Sequence, residues 1–353
     1  MQTLNFPLFK TKSPAGAPRF KLNDPAQRRA YFEFKARGEL EKLRNYLKNN
    51  VFLAFLLGKK NTGKGTYAKL FAEAVGTGNI VHFSVGDLIR SVDAEVQDEG
   101  RRKELIDFLA QNYRGYLPIE KLIKAQLCRS TKKLLPTEFI LALIKREIKK
   151  FGRKAIFLDG FPRNLDQVSY SLFFRNLIDF RDDPDFFVLV DAPQNVINER
   201  ITNRVICPKC QTPANLKLLP TKKVDYDPKS KKFYLLCDYC PQTRMVVKEG
   251  DALGIEALKK RLATEQSLMA KAFNLYGIPK ILLRNSLPVK EAGNFVDDYE
   301  ITPEYFYEWN SQKKEVIIKE KPWVFKDDNG EPSNSLLPSP VVLSLIKQLA
   351  DLL

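Results

Sequence analysis

The 353-residue sequence is poor in histidine, with His82 alone, and has no uninterrupted apolar run near the ~18 residues that a membrane span needs. The run VFLAFLL at Val51–Leu57 is too short to cross a bilayer and reads as a buried strand. A single histidine is read as packing rather than chemistry. The first 23 residues hold no acidic group, as in a transit peptide, but Pro7, Pro14 and Pro18 exclude the amphipathic helix such a peptide would need. A cytoplasmic protein is therefore expected. No secretory apolar segment is present, so the five cysteines favour metal over a disulfide framework. No internal repeat and no arginine-rich tail are found.

What the sequence does have is positive charge and enough apolar residues for a core. At 44% hydrophobic content, wholesale disorder is excluded. The formal net charge of +16 favours acidic partners, either free nucleotides or nucleic acid. The lysines are spread along the whole chain, so a solvated basic surface explains them equally well, and nucleic acid is the less favoured partner. A monomer without membrane association is expected.

The pattern along the chain is organised around alternating strands and helices. Residues 1–50 read as a helical extension, with Asn23 or Asp24 capping a helix that has Pro25 in its first turn. Apolar strands at VFLAFLL, NIVHFSV, AIFLDGF and DFFVLVDA alternate with helical segments, which predicts a parallel sheet covered on both faces. That makes the fold class α/β. The core is expected over 51–83, 137–205 and 252–353, with a helical insert at 84–136 and a small β-rich insert at 206–251. Residues 277–302 read as a loop-rich insertion, TPEYFYEWNSQ as helical, EVIIKEKPWVF as the last strand and SPVVLSLIKQLADLL as a closing helix.

The stretch Gly58-Lys59-Lys60-Asn61-Thr62-Gly63-Lys64-Gly65-Thr66 has the spacing of a phosphate-binding loop between a strand and a helix. Backbone N–H groups of such a loop point at phosphate, and the helix N-terminus adds about half a positive charge. Lys64 reaches the outer phosphates and Thr66 lies in the first helical turn. Asn61 stands where glycine would be convenient, and asparagine is one of the few residues that tolerate positive φ.

Two further segments narrow the class: Phe83-Ser84-Val85-Gly86-Asp87-Leu88-Ile89-Arg90 and Asp159-Gly160-Phe161-Pro162-Arg163, with Gln167 four residues on. With the loop, with Arg200 and Arg204 in INERITNR, and with Lys259-Lys260-Arg261-Leu262, they resemble the adenylate kinase family over residues 51–275. The resemblance implies a P-loop kinase core with a nucleoside monophosphate-binding subdomain at 84–136 and a lid at 206–251. It implies ATP-phosphate binding by Gly58 and by Asn61, Thr62, Gly63, Lys64, Gly65 and Thr66, with Arg204 facing ATP. AMP would be bound by Val85, Arg90, Leu135, Gly160, Arg163, Gln167 and Arg261, with Gln167 on the base. Catalysis would rest on Lys64, Asp159, Arg163, Arg200, Arg204 and Arg261, and Asp159 would hold Mg²⁺ through water. Phosphoryl transfer between nucleotides gathers negative charge, so a site lined with guanidinium forks is what the chemistry asks for. Val85 departs from the threonine usual in the family and removes a hydroxyl near the base.

Cys207-x-x-Cys210 and Cys237-x-x-Cys240 give the two thiolate pairs of a structural tetrahedral zinc site, with a redox dithiol as the alternative. Their position agrees with the family's zinc lid. Cys128 has no partner in the sequence and reads as half-buried and apolar. Where the family carries a lid arginine before its K-x-R-L segment, this chain has Gly250; Lys248 is the expected substitute, with Arg244 the rival. Taken together with these features, the resemblance implies a reversible Mg²⁺-dependent kinase converting ATP and AMP to two ADP. A kinase for CMP, UMP or GMP, or a degenerate nucleotide- or RNA-binding protein without turnover, are the alternatives.

Overall fold

The computed structural model describes residues 4, 6–76, 78–127, 135–178, 180, 182–210, 212–248, 251 and 255–353, without the side chains of 166, 177 and 257. Cys128 and Gly250 lie outside them. Along the chain, α1 (Pro25–Tyr46) precedes β1 (Leu53–Leu57), α2 (Lys64–Val75) and β2 (Ile80–Ser84). Then come α3 (Val85–Gln97), α4 (Glu99–Asn112), α5 (Ile119–Leu127), α6 (Thr137–Phe151) and β3 (Ala155–Asp159). Next are α7 (Leu165–Ser171), α8 (Phe174–Leu177), β4 (Asp185–Asp191) and α9 (Gln194–Thr202). Five short strands follow: β5 (Arg204–Ile206), β6 (Pro213–Asn215), β7 (Lys223–Asp227), β8 (Lys232–Leu236) and β9 (Val246–Val247). After α10 (Lys259–Asn274) come β10 (Lys280–Arg284), β11 (Ser286–Pro288) and α11 (Val289–Phe295). The chain closes with β12 (Pro303–Asn310), β13 (Glu315–Pro322), β14 (Val324–Lys326), β15 (Pro332–Ser335) and α12 (Pro338–Leu352).

Among the described residues, five strands pair in parallel in the order β10-β4-β1-β3-β2. All five residues of β1 are buried, as a central parallel strand requires. Phe157, in register with Ala54, packs on Phe71 of α2, whereas Phe55, in register with Phe187, packs on Phe174 of α8. Successive strand residues face opposite sides, so helices cover both faces and the α/β class holds. The register Leu56↔Asp159↔Ser84 aligns the carboxyl ends of β1, β3 and β2 beside the Gly58 loop. That edge is where an open α/β sheet places its chemistry.

The last third of the chain differs from its sequence reading. The segment 277–302 is not simply loop-rich: it contributes β10 to the core sheet and α11 beyond it. TPEYFYEWNSQ is a strand, because its aromatic residues pair across from β13 in register Pro303↔Pro322 to Asn310↔Glu315. EVIIKEKPWVF is not the last strand of the core sheet. Seven of the eight residues of β13, all but Val316, are exposed, which no strand buried on both faces allows, and Lys280–Arg284 takes the fifth position instead.

The extension helix α1 starts as its sequence suggests, with the Asp24 carboxylate accepting from the N–H of Gln27 at 2.9 Å and Pro25 in the first turn. Tyr31, Phe32, Leu40 and Leu43 are fully buried against the core. Lys35 is nearly buried with them, and its ammonium contacts Asp297 and Glu300 at 2.7 Å each.

Candidate active site

The phosphate loop closes because its special positions carry residues able to occupy them. Gly58, Asn61 and Gly63 have φ of 152°, 67° and 108°. A side chain at Gly58 would meet the Val190 carbonyl at 2.5 Å, and one at Gly63 would meet the Tyr67 ring at 2.6 Å. Thr62 is buried, and its hydroxyl donates to the Lys59 carbonyl at 3.0 Å. Thr66 is exposed in the first turn of α2. The Lys64 ammonium donates to the carbonyls of Gly58 (2.9 Å) and Lys59 (3.1 Å) and lies 4.0 Å from the Asp159 carboxylate.

Asp159 is largely buried. Burial alone would raise its pKa, but Lys64, His82 and Arg163 outweigh that and hold the carboxyl below its usual value. It is therefore an anion facing the loop, as a group that holds a hydrated divalent cation must be. His82, read as packing, lies on this site: its Nε2 is 3.8 Å from Asp159 Oδ2 and has no hydrogen-bond partner, and its ring touches the position a side chain at Gly65 would fill.

The arginines converge unevenly. Arg200 donates from Nη1 to the carbonyls of Asn61 (3.1 Å) and Thr62 (3.2 Å), and from Nη2 to Asn285 (3.3 Å). Arg204 donates to Asn61 Oδ1 (2.9 Å) and to Asp251 (2.6 Å). Burial lowers the pKa of the Arg163 guanidinium, and the neighbouring Arg261 lowers it further. Arg163 and Arg90 both flank Gly86, where a side chain would meet Arg163 Nη2 at 3.1 Å and Arg90 Nη1 at 3.7 Å. Arg90 is mostly exposed and paired with Asp87; Arg261 is half exposed and paired with Glu265 at 2.8 Å. The arrangement is a cation-rich cleft around a phosphate loop, able to gather polyanionic groups and stabilise charge between them.

Val85 is buried, with its Cβ 3.6 Å from where a side chain at Gly160 would be. Leu135 packs at the edge of the main core. Gln167 is buried: its amide oxygen accepts from the N–H of Arg163 at 2.7 Å and its amide nitrogen donates to Thr137 at 3.2 Å. Of the two rival cations, Arg244 lies over the Tyr234 ring at 4.1 Å. Burial lowers the pKa of Lys248, and the charge of Arg204 lowers it further, with Asp251, Arg90 and Asp87 also within its field.

Sequence reasoning missed Asp251 and Asn285. Asp251 is 4% exposed and joins Arg204 to Lys60, whose ammonium lies at 3.4 Å. Asn285 is fully buried, accepts from Ser335 (2.9 Å) and donates to Tyr67 (2.9 Å) as well as meeting Arg200. Neither lies in a motif; only the folded chain brings Asn285 to the loop, from more than two hundred residues away in sequence.

The four paired cysteines do meet. Their sulfurs all lie within 4.8 Å of one another, with Cys210 and Cys237 3.5 Å apart. Four sulfurs on a tetrahedral ion with bonds of about 2.3 Å would be about 3.8 Å apart. The set fits a shared metal ion and holds no disulfide. Hydrogen bonds from the Thr212 hydroxyl and N–H pull the Cys210 thiol down to about 6, whereas burial pushes the Cys237 and Cys240 thiols up, so the cluster without an ion is not a set of four ready thiolates.

A family profile described as an AAA domain matches residues 58–206. An adenylate kinase of Thermotoga neapolitana is 30% identical over 235 residues, covering 66% of this chain and 89% of that protein. The chain belongs to the adenylate kinase family. An adenylate kinase of Thermotoga petrophila is 31% identical over 206 residues, 57% of this chain and 74% of that protein, and one from Kosmotoga olearia is 31% identical over 187 residues, 52% and 69%. With the phosphate loop and its cations in place, this member of the family is a nucleoside monophosphate kinase. No helix among the described residues is long and apolar enough to cross a membrane.

Proposed function

We propose that the enzyme transfers the terminal phosphoryl group of ATP to AMP, reversibly, giving two ADP. The observation that carries this reading is the phosphate loop with Lys64 beside an anionic Asp159, inside a cleft approached by Arg163, Arg200, Arg204 and Arg261. In this reading the N–H groups from Asn61 to Thr66 hold the ATP phosphates and Lys64 balances charge on the group in transit. Arg204 faces ATP, Arg163 and Arg90 hold the acceptor phosphate, and Arg200 and Arg261 lie between. No general base is needed, because the acceptor phosphate is already a nucleophile; the protein's work is positioning and charge stabilisation. Mg²⁺, when bound, supplies charge neutralisation across the phosphates, and Asp159 would hold it through water.

Residues 84–136 then form the monophosphate-binding unit and 206–251 the lid, with Lys248 as its cation. The Cys207, Cys210, Cys237 and Cys240 cluster holds a structural Zn²⁺, since all four ligand positions come from the protein. Its expected test is elemental analysis of unchelated protein: about one zinc per chain supports the assignment, and none refutes it.

The identity of the acceptor base is the finer question. Gln167 carries both an amide donor and an acceptor suited to a purine edge, although its amide is now engaged by Arg163 and Thr137. A coupled assay with AMP, CMP, UMP and GMP decides it. Preference for AMP supports the proposal; faster turnover of CMP or UMP replaces the substrate but leaves the kinase class, and no turnover of any would leave a nucleotide-binding protein.

A further inference from the structure

The hairpin β12–β13 is rooted on the core and reaches the Cys₄ unit. At its root, the N–H of Thr302 donates to the Ser335 carbonyl (2.8 Å) and that of Trp323 to the Thr302 carbonyl (3.0 Å). Trp323 is 4% exposed and packs in one apolar cluster with Val196, Ile197 and Ile201 of α9 and Leu262 of α10. Midway, the N–H of Tyr305 donates to the Lys217 carbonyl at 2.8 Å, and the Tyr307 hydroxyl donates to the Leu216 carbonyl. Further out, Trp309 stacks on Tyr226 of β7 with centroids 5.0 Å apart and planes 20° apart, and Tyr307 lies 5.5 Å from Phe233 of β8. The Lys217 ammonium joins Glu199 of α9 (3.4 Å) to Glu304 of the hairpin (3.7 Å).

We propose that this hairpin is a brace that ties the lid to the core and restricts how far the lid swings from the phosphate loop. The inference rests on the reading of 206–251 as a lid. The two ends of the lid, Arg204 and Asp251, are held together by an ion pair at 2.6 Å and act as its hinge. Beyond the packing of the lid's Leu218 on α9, an attachment near the lid's outer strands opposes rotation about that hinge, because rotation must separate Tyr226 and Phe233 from the rings of a hairpin whose root, through Trp323, is packed on α9 and α10. A lid held near its closed position loses less conformational freedom when nucleotide arrives. Stacked aromatic faces suit this role: they resist separation through buried area yet have no directional bond that fixes a single position.

Hydrogen exchange of the intact, nucleotide-free protein tests the brace without needing turnover. Trp309→Ala should raise exchange severalfold at the lid base, in Arg204–Ile206 and Val246–Val247, which pair with each other and with β6 rather than with the hairpin. Exchange in β1 and β3 should stay unchanged, and Trp309→Phe, which keeps a ring for Tyr226, should stay near the parent. If Trp309→Ala speeds exchange only within β12–β13 and its immediate partner β7, the hairpin is an ornament and the brace is refuted. Should Trp309→Ala also loosen β1 and β3, Tyr226→Ala removes the same stack from the lid side and is read by the same criterion. The monophosphate panel answers the kinase question separately, so a failure of either reading is recognised as its own.

Discussion

At the residue scale, the densest chemistry lies between Lys64 and Asp159. The ammonium is held by two loop carbonyls and by the carboxylate 4.0 Å away, so it is aimed before any nucleotide arrives. Lys64→Ala removes one preorganised charge and should lower turnover by about 10²–10³-fold. Its thermal midpoint should stay near the parent value, because the ammonium sits at the cleft and fills no core volume. Steady-state kinetics beside a melting curve checks both halves; near-parent turnover in a folded variant would remove Lys64 from the mechanism. The lid cation is a second question at this scale. Arg244 is committed to the Tyr234 face, whereas Lys248 lies in the field of Arg204. Lys248→Ala should therefore cut turnover at saturating substrates more than Arg244→Ala, and Lys248→Arg should restore or raise it, since a guanidinium adds a planar two-point fork. The reverse ranking would hand the role to Arg244.

At the scale of elements, the Cys₄ unit is too small to hold itself by burial. Its apolar cluster is limited to a few residues around Cys207, Ala214, Leu235, Cys237 and Met245. Units of this size rely on a metal or another staple. Cys237→Ser should lower the stability of β5–β9 while the parallel sheet survives. In calorimetry this predicts a new, earlier transition with the main one little moved, and a chelator should reproduce it in the parent. A single unchanged transition in both experiments would show that the unit folds without the ion.

For the whole molecule, the N-terminal extension and the C-terminal region are joined through buried charge. Lys35 lies between Asp297 and Glu300, Tyr31 donates to Glu300 at 2.5 Å and Thr11 at 2.6 Å. Lys35→Met would leave Glu300 without its cation and Asp297 with Lys12 alone, at 3.7 Å, and breaking buried pairs in this way typically costs about 3–5 kcal/mol. The expected result is a clear drop in the thermal midpoint. Burial alone would raise the Asp297 pKa, but hydrogen bonds from Lys35 and Ser13 bring it from 3.8 down to about 2. A depressed folded pKa adds stability that is fully present above the unfolded value and is lost as pH falls through the folded one. Docking of α1 should therefore weaken between about pH 4 and pH 2. Hydrogen exchange of α1 across that window should rise in the parent more steeply than in Asp297→Asn, which has no carboxylate left to titrate at that position. Parallel pH profiles in the two proteins would place the acid response elsewhere.

The sequence by itself determined the features that are local in the chain. A glycine loop between an apolar strand and a helix can be read because its function depends on consecutive backbone groups. The paired cysteines can be read because ligand spacing within each pair is local, and Asp24 with Pro25 marks a helix start for the same reason. Only tertiary structure decided what depends on distant partners. The segment 303–322 carries aromatic residues compatible with either helix or strand, and pairing of β12 with β13, on a base packed against α9 and α10, made it a hairpin. Lys280–Arg284 became the fifth strand because β4 offered a free parallel edge, which no pattern within those five residues announces. Asn285 and Asp251 reached the loop only through the packing of strands and lid, and Gln167 turned to Thr137 and the Arg163 N–H because those groups lie within its reach once α6 and α7 are in place. Burial and long-range hydrogen bonding are properties of the folded chain, and at these positions they outweigh local preference.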